Sequence, residues 1–223
     1  MNDTFPDLSE YIKEGIENKI KELSKQLSGL VKENHLDPMS QVFDGSFEIY
    51  AVKIWGKNRK LNARFKLTNL RNLSSAGLAQ PHVDVEEMAH QTYSADARTQ
   101  FQASHLSMDV SCSVEIVSEE NPSVEVITGK ITIPFLFIDV HFFSTIQRAV
   151  FGNTCFLNPI VRMKVNTMDP KIHLDVPDLM KDYADNFAKN ILKSFKDDII
   201  HQINDQILKD LGGTMSKKLE GCF

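Results

Sequence analysis

The last third of the chain carries an apolar pattern that repeats every four residues, and this pattern constrains the fold more than any other feature. Four residues advance an α-helix by about 400°, so each step moves the apolar line roughly 40° around the axis. Over the eight steps from Leu179 to Leu211 the line winds almost fully around the helix, and a flat surface would leave part of it exposed. The positions in this line are Leu179, Tyr183, Phe187, Ile191, Phe195, Ile199, Ile203, Ile207 and Leu211.

The winding line predicts a long helix over residues 178–211 that is enclosed along its length by a twisted, curved sheet. A helix in an ordinary bundle or supercoil is the alternative interpretation of the same spacing. Gly212-Gly213 is predicted to end the helix, because glycine is common just past a helix terminus.

A second, amphipathic helix is predicted near the amino terminus, over residues 8–33. Its apolar residues share one face, and Lys, Glu and Asn occupy the opposite face. Asp37-Pro38 prevents continuation, since the residue before a proline disfavours helical backbone. The apolar face comprises Leu8, Ile12, Ile16, Ile20, Leu23, Leu27, Leu30 and Val31.

Between the two helices, apolar and polar residues alternate with a period of two, as is typical of antiparallel strands with one wet and one buried face. The alternating segments include 61–67, 106–116, 161–165 and 172–176. Asn121-Pro122 indicates the turn of a hairpin. We therefore predict an α+β fold in which a highly curved antiparallel sheet over 43–176 wraps the long C-terminal helix and follows the N-terminal one. No linker or repeat interrupts the chain, so 1–223 is predicted to form a single domain.

The charge and hydropathy patterns argue against nucleic acid and membrane partners. The chain of 223 residues has a net charge of −5, and its basic residues are scattered rather than clustered. The most apolar run, Ile131–Phe143, is shorter than the roughly 20 residues that span a bilayer, and polar residues interrupt it. We expect no binding of nucleic acid and no stable membrane insertion.

Two features bear on the cellular compartment, and neither decides it. The first residues lack the basic and apolar regions of a signal peptide, which indicates either a cytosolic protein or a mature secreted form whose leader one methionine replaces. The three cysteines, Cys112, Cys155 and Cys222, match no zinc pattern. They are either buried or incidental thiols, or they include a Cys112–Cys155 disulfide, which requires an oxidising compartment.

The histidines provide no arrangement that is typical of catalysis or metal binding. All seven are dispersed, although His141 and His173 each have an acid nearby, Asp139 and Asp175. An enzyme would need one of these histidines to meet an acid and a nucleophile in a cleft. Solvated strand-face residues explain both pairs more simply, so we expect no enzymatic activity, no catalytic residue, no metal site and no required cofactor.

Aromatic and methionine residues are abundant in the predicted sheet and second helix. The chain contains 14 Phe and 8 Met. Most of these side chains are expected to fill an ordinary core. Where a sheet curls around a helix, however, such residues can also line a tunnel, and methionine adapts to irregular ligand shapes.

The order of elements, together with several short segments, resembles the tubular lipid-binding superfamily. The segments are Leu36-Asp37-Pro38-Met39, Phe47-Glu48-Ile49, Leu67-Thr68-Asn69-Leu70 and Gly77-Leu78. They are similar to segments of its arthropod branch, namely Takeout proteins, juvenile-hormone-binding proteins and group-seven mite allergens. Takeout-type proteins usually carry an amino-terminal cysteine pair, and its absence here favours the mite-allergen-like branch. The larger relatives have a disulfide about forty residues in span, comparable to that between Cys112 and Cys155.

The resemblance implies a secreted carrier that holds an elongated hydrophobic ligand, such as a lipid, terpenoid or carotenoid, in an internal apolar tunnel along the second helix. A surface-interaction protein with a filled core, such as an allergen or pattern-recognition module, is the alternative. A bound lipid or pigment is compatible with the carrier, and the sequence names no protein partner. The expected tunnel wall is Phe187, Ile191, Phe195, Ile199, Phe65, Met108, Val110, Val114, Phe135 and Phe137, with Ile16, Ile20 and Leu23 closing one end.

Overall fold

Within the residues that it describes, the computed structural model contains two helical regions and one antiparallel sheet. It describes residues 8–54, 57–89, 91–116, 123–148, 153–175, 189, 192–193 and 196–222. In chain order the helix α1 spans Leu8–Glu33, and a short 3₁₀ turn spans Leu73–Ser75. The strands are β1 Met39–Ile54, β2 Lys57–Arg71, β3 Gly77–Leu78, β4 His82–Ala89, β5 Thr92–Ile116, β6 Ser123–Arg148, β7 Thr154–Met168, β8 Lys171–Leu174 and β9 Gly221–Cys222.

Helix α1 has the bounds that its apolar pattern predicts, 8–33. Its buried stripe runs from Ile12 to Val31 along one face. The chain turns away just beyond the helix, where His35 adopts a positive φ of 56° and the Leu36 N–H donates to the Val31 carbonyl at 3.0 Å. The carboxylate of Asp37 then accepts hydrogen bonds from the backbone N–H groups of Asn72 and Ser74. These bonds connect the end of α1 to the 3₁₀ turn.

The strands form one sheet in the order β1-β2-β5-β6-β7-β9, with β3 and β4 paired to β5, and β8 paired to β6. β5 has 25 residues and β6 has 26, and they pair antiparallel from Thr92↔Gln147 to Ile116↔Ser123. Strands of this length accumulate a large right-handed twist. The sheet consequently curls into a half-barrel, and the buried faces of α1 and the C-terminal helix share one apolar cluster with its concave face.

The buried face of both central strands changes parity near the midpoint. On β5 the buried residues are odd-numbered up to Ala103 and even-numbered from Leu106 onward. His105 lies between them with a φ of 55°, a left-handed conformation that displaces the alternation by one residue. On β6 the same change from odd to even occurs around Pro134. The buried face therefore stays apolar from Tyr93 to Cys112 on β5 and from Ile131 to Ile146 on β6, which strict alternation would not predict.

The C-terminal helix does not end at Gly212-Gly213, and the predicted boundary at residue 211 is wrong. Among the described residues the helix continues to Leu219, with a π-helical segment over Ile203–Leu208. Gly212 has a packing role instead, because a methyl group on it would lie 2.9 Å from the carbonyl oxygen of Val161. Glycine here allows the helix to approach β7 closely. The predicted start at residue 178 lies outside the described residues.

Two side chains of the C-terminal helix hydrogen-bond to the backbone of β7. The Val165 N–H donates to the Asn204 side-chain oxygen at 2.8 Å, and the Val161 N–H donates to the Ser216 hydroxyl at 2.9 Å. The strand β9 pairs with the start of β7 through Cys155↔Cys222. The C-terminal helix and strand β9 thus cover the edge of β7, which would otherwise expose unpaired backbone groups.

Candidate functional site

The best candidate for a functional site is the apolar interior between the concave face of the sheet and the C-terminal helix. Phe65, Met108 and Val110 of the predicted wall are at most 3% exposed. Phe65 is paired with Cys112, and Met108 with Ile131, so these wall residues belong to adjoining rows of the sheet. The alternation of β2 and β5 places them on the same face.

The helical side of the predicted wall is represented by Ile199, which is 1% exposed. It belongs to the same apolar cluster as the three sheet residues. Phe187, Ile191 and Phe195 lie outside the described residues. Val114 pairs with Ala63 in the β2–β5 ladder, and its side chain also lies outside the described part.

The prediction that Phe135 and Phe137 line the interior is wrong. Phe135 is 58% exposed, and Phe137 lies two residues along the same outer face of β6. Their rings stack on each other with centroids 6.4 Å apart. The change of buried face around Pro134 is the reason, because it turns Leu136 and Ile138 inward in their place.

Ile16, Ile20 and Leu23 are buried on α1. Ile16 and Ile20 border a small apolar cavity of about 10 Å³, roughly the space of one water molecule. The sheet residues around this cavity and Leu219 were not among the predicted site residues. The further lining residues are Ala95, Ala97, Phe142, Phe143, Ser144, Phe156, Pro159 and Leu219.

The cysteines are arranged differently from the expected pair. Cys155 is bonded to Cys222, and Cys112 is a free, buried thiol, so the Cys112–Cys155 pairing is wrong. The reason is the register of β6, which pairs Ile127 with Cys112 near one end and Gln147 with Cys155 near the other. Burial among apolar side chains raises the pKa of the Cys112 thiol from its ordinary 9.0 to about 11.

The polar residues on the outer face are engaged in structural contacts. The Asn166 amide donates to both carboxylate oxygens of Asp139 at 2.9 Å, and His141 faces Arg98 and Arg162 across the strands. Asp175 accepts a hydrogen bond from the hydroxyl of Thr128. In the described ranges, no group of three or more His, Cys, Asp or Glu residues could hold a metal ion.

A groove of about 610 Å³ separates α1 from the segment that precedes β4. The Leu78 N–H donates to the Ser24 hydroxyl at 3.1 Å and fixes the two walls together. Ile20 borders both this groove and the small internal cavity. The lining residues are Ile20, Lys21, Ser24, Lys25, Leu78, Ala79, Gln80 and Pro81.

Comparison with solved structures finds 18 similar chains, among them the two that follow. One is the lipopolysaccharide binding protein, at 12% identity over 90% of this chain with a TM-score of 0.42, and the chain spans 40% of that protein's length. The other is Takeout 1 of Epiphyas postvittana, at 12% identity over 91% of both chains with a TM-score of 0.43. No protein-family model matches the chain, and no curated protein matches it. Among the described residues, no helix is long and apolar enough to cross a membrane.

Proposed function

We propose that this chain is a secreted carrier that binds an elongated hydrophobic ligand, such as a lipid, terpenoid or carotenoid, between the concave face of the sheet and the C-terminal helix. The observation that carries the proposal is the apolar character of that face along nearly the whole of β5. In the described part of the chain, Thr154 is the one polar residue that is buried, and no charged residue is. The buried residues of β5 are Tyr93, Ala95, Ala97, Phe101, Ala103, Leu106, Met108, Val110 and Cys112.

A surface of this kind selects a ligand by its apolar area rather than by specific polar groups. Burial of a fatty chain gains about 0.8 kcal/mol per CH₂ group, so ten buried methylenes support useful affinity after the cost of association. The chain geometry favours a long, narrow ligand, since β5 and β6 extend over 25 and 26 residues. Such binding requires no acid–base chemistry.

Secretion is supported by the Cys155–Cys222 disulfide, because disulfides persist mainly in oxidising compartments. A peptide map of the non-reduced protein tests this pairing. We expect a linked peptide pair that contains both cysteines, an intact mass about 2 Da below the all-thiol value, and one alkylated residue, Cys112, after denaturation. Three alkylated cysteines in protein from its native source would remove this support.

The proposal is tested by organic extraction of natively purified protein, followed by mass spectrometry and an absorption spectrum. A stoichiometric lipid or pigment in the extract supports the carrier and names the ligand class. Protein from a recombinant host is first incubated with a fluorescent fatty acid and a carotenoid, so that absence of the natural ligand does not decide the result. Failure to load either compound, with a clean extract from native material, contradicts the proposal.

One observation favours the alternative of a surface-interaction protein with a filled core. The apolar cavity beside Ile16 and Phe142 has a volume of only about 10 Å³, which leaves no room for a ligand at that end without side-chain movement. A filled core predicts that added hydrophobic compounds leave the melting temperature unchanged. A carrier predicts that the melting temperature rises with ligand concentration, because the ligand binds the folded state.

A further inference from the structure

The groove between α1 and the segment before β4 combines an apolar floor with a cationic rim. Ile20, Leu78 and Pro81 contribute apolar surface, and Pro81 and Ile20 are buried. Lys21 and Lys25 line the same groove from successive turns of α1 and are exposed. Residues four apart lie on one side of a helix, so both ammonium groups can reach one bound anion.

We infer that this groove receives the anionic head of a single-chain amphiphile whose tail passes Ile20 into the apolar interior. This inference rests on the proposed carrier function and deepens it by naming a ligand class, a long-chain carboxylate. The groove has a volume of about 610 Å³, which lies within the usual range for small-ligand sites. The two lysines supply the charge complementarity, and the long axis of the ligand crosses from water to the core.

Ile20 is the residue that the groove and the internal cavity have in common. Ile20 is 2% exposed and borders both the lysine-lined groove and the cavity bordered by Phe142 and Phe156. The internal cavity measures only about 10 Å³, so an acyl chain enters it only when the side chains around it move.

The charge on the groove is available to a ligand. Within the part of the chain that the structure describes, Lys21 makes one long ion-pair contact, 4.0 Å from the carboxylate of Glu17, and its side chain remains 56% exposed. Exposed pairs of this kind contribute little to stability, so an incoming carboxylate competes easily for the ammonium group. Glu17 is the one acidic residue in contact with the groove lysines among the ion pairs of the described chain.

The test compares palmitate with hexadecanol, which has the same chain length and no charge. Affinities are measured by displacement of a neutral fluorophore from the wild-type chain, from the double variant K21Q/K25Q and from the control K32Q. Lys32 is an exposed lysine of the same helix that does not line the groove. We expect the double variant to bind palmitate about fivefold more weakly, as loss of exposed charge contacts implies. The double variant should keep its affinity for hexadecanol, and the control K32Q should keep its affinity for palmitate. Added salt should weaken the binding of palmitate but not that of hexadecanol.

Several outcomes would overturn the inference. If K21Q/K25Q binds palmitate as tightly as the wild-type chain does, the carboxylate head lies elsewhere. If the double variant loses as much affinity for hexadecanol as for palmitate, the substitutions act through the fold and not through charge. A second variant, Ala79→Trp, fills the groove without altering charge and should weaken palmitate binding as well; unchanged binding again overturns the inference. If the wild-type chain binds neither compound, the carrier function itself fails, whereas hexadecanol binding without lysine dependence removes only the assignment of the head.

Discussion

The backbone N–H of Val161 donates a hydrogen bond of 2.9 Å to the hydroxyl of Ser216, so a helix side chain takes the place of a neighbouring strand. The Ser216 hydroxyl in turn donates to the Gly212 carbonyl one turn earlier, also at 2.9 Å. Val165 repeats the arrangement with Asn204. The C-terminal helix therefore contributes specific polar contacts to the sheet in addition to its apolar face, and these contacts set its position along β7.

Replacement of either polar partner should destabilise the fold. In Ser216→Ala and Asn204→Ala a largely buried backbone N–H loses its acceptor, which costs about 1–3 kcal/mol for each variant. Urea unfolding measures the loss, and hydrogen exchange should accelerate at the amide of Val161 or Val165 respectively. Lys217→Ala, an exposed change on the same helix, serves as the control and should alter stability by less than about 0.5 kcal/mol. Equal effects for Ser216→Ala and Lys217→Ala would contradict this role for Ser216.

Gly212 and Gly213 should respond to alanine in opposite directions. A methyl group at Gly212 would meet the Val161 carbonyl oxygen at 2.9 Å, whereas nothing lies within 4 Å of the same group at Gly213. Gly212→Ala should therefore lower the free energy of unfolding by about 1–3 kcal/mol through overpacking against backbone. Gly213→Ala should raise it by up to about 1 kcal/mol, because alanine is the better helix former. Denaturant unfolding of the two variants checks both signs, and stabilisation by Gly212→Ala would show that the helix does not approach β7 so closely.

The sequence predicted those features that depend on a repeating pattern. Helix α1 was predicted with its observed bounds because eight apolar residues keep one face until Asp37-Pro38. The buried set Leu106, Met108, Val110 and Cys112 was predicted because β5 alternates strictly from Leu106 onward.

Features that depend on one residue or one distant contact escaped the sequence analysis. A single residue with left-handed backbone, His105, changes which side of β5 is buried. The spacing of apolar residues in the sequence does not reveal such a residue. Gly212-Gly213 has the composition of a helix stop, and its true reason is a close approach to Val161, which is distant in sequence. The partner of Cys155 depends on strand register and on the path of the last residues, so spacing alone could not select Cys222.

Phenylalanine truncation should distinguish the two faces of the sheet. Phe65 is fully buried and Phe135 is 58% exposed. Phe65→Ala should lower the free energy of unfolding by about 3–5 kcal/mol, through lost burial and a residual cavity. Phe135→Ala should change it by less than about 0.5 kcal/mol and should leave ligand loading unaltered, since the ring lies outside the apolar interior. Chemical unfolding and loading of the fluorescent fatty acid provide the two measurements, and loss of loading in Phe135→Ala would return this residue to the ligand site.

The stability of the chain should fall at high pH through Cys112. Burial raises the pKa of this thiol from 9.0 to about 11, so the unfolded chain releases its proton first as the pH rises. The contribution to stability is therefore complete below about pH 9 and is lost progressively toward pH 11. A shift of this size corresponds to roughly 3 kcal/mol at most.

Comparison of the wild-type chain with Cys112→Ala isolates this effect, because every other titrating group is present in both proteins. The difference in unfolding free energy between the two proteins should be constant from pH 7 to about pH 9. From there to about pH 11, the unfolding free energy of the wild-type chain should fall relative to that of Cys112→Ala. The native thiol should also resist iodoacetamide at pH 8, since only the thiolate reacts, and it should react promptly once urea unfolds the chain. Rapid labelling of the folded protein, or a stability difference that stays constant through pH 11, would show that Cys112 does not lie in the apolar wall. Because Cys112 pairs with Ile127 beside Phe65 in that wall, the same labelling reaction reports on the interior where we place the ligand.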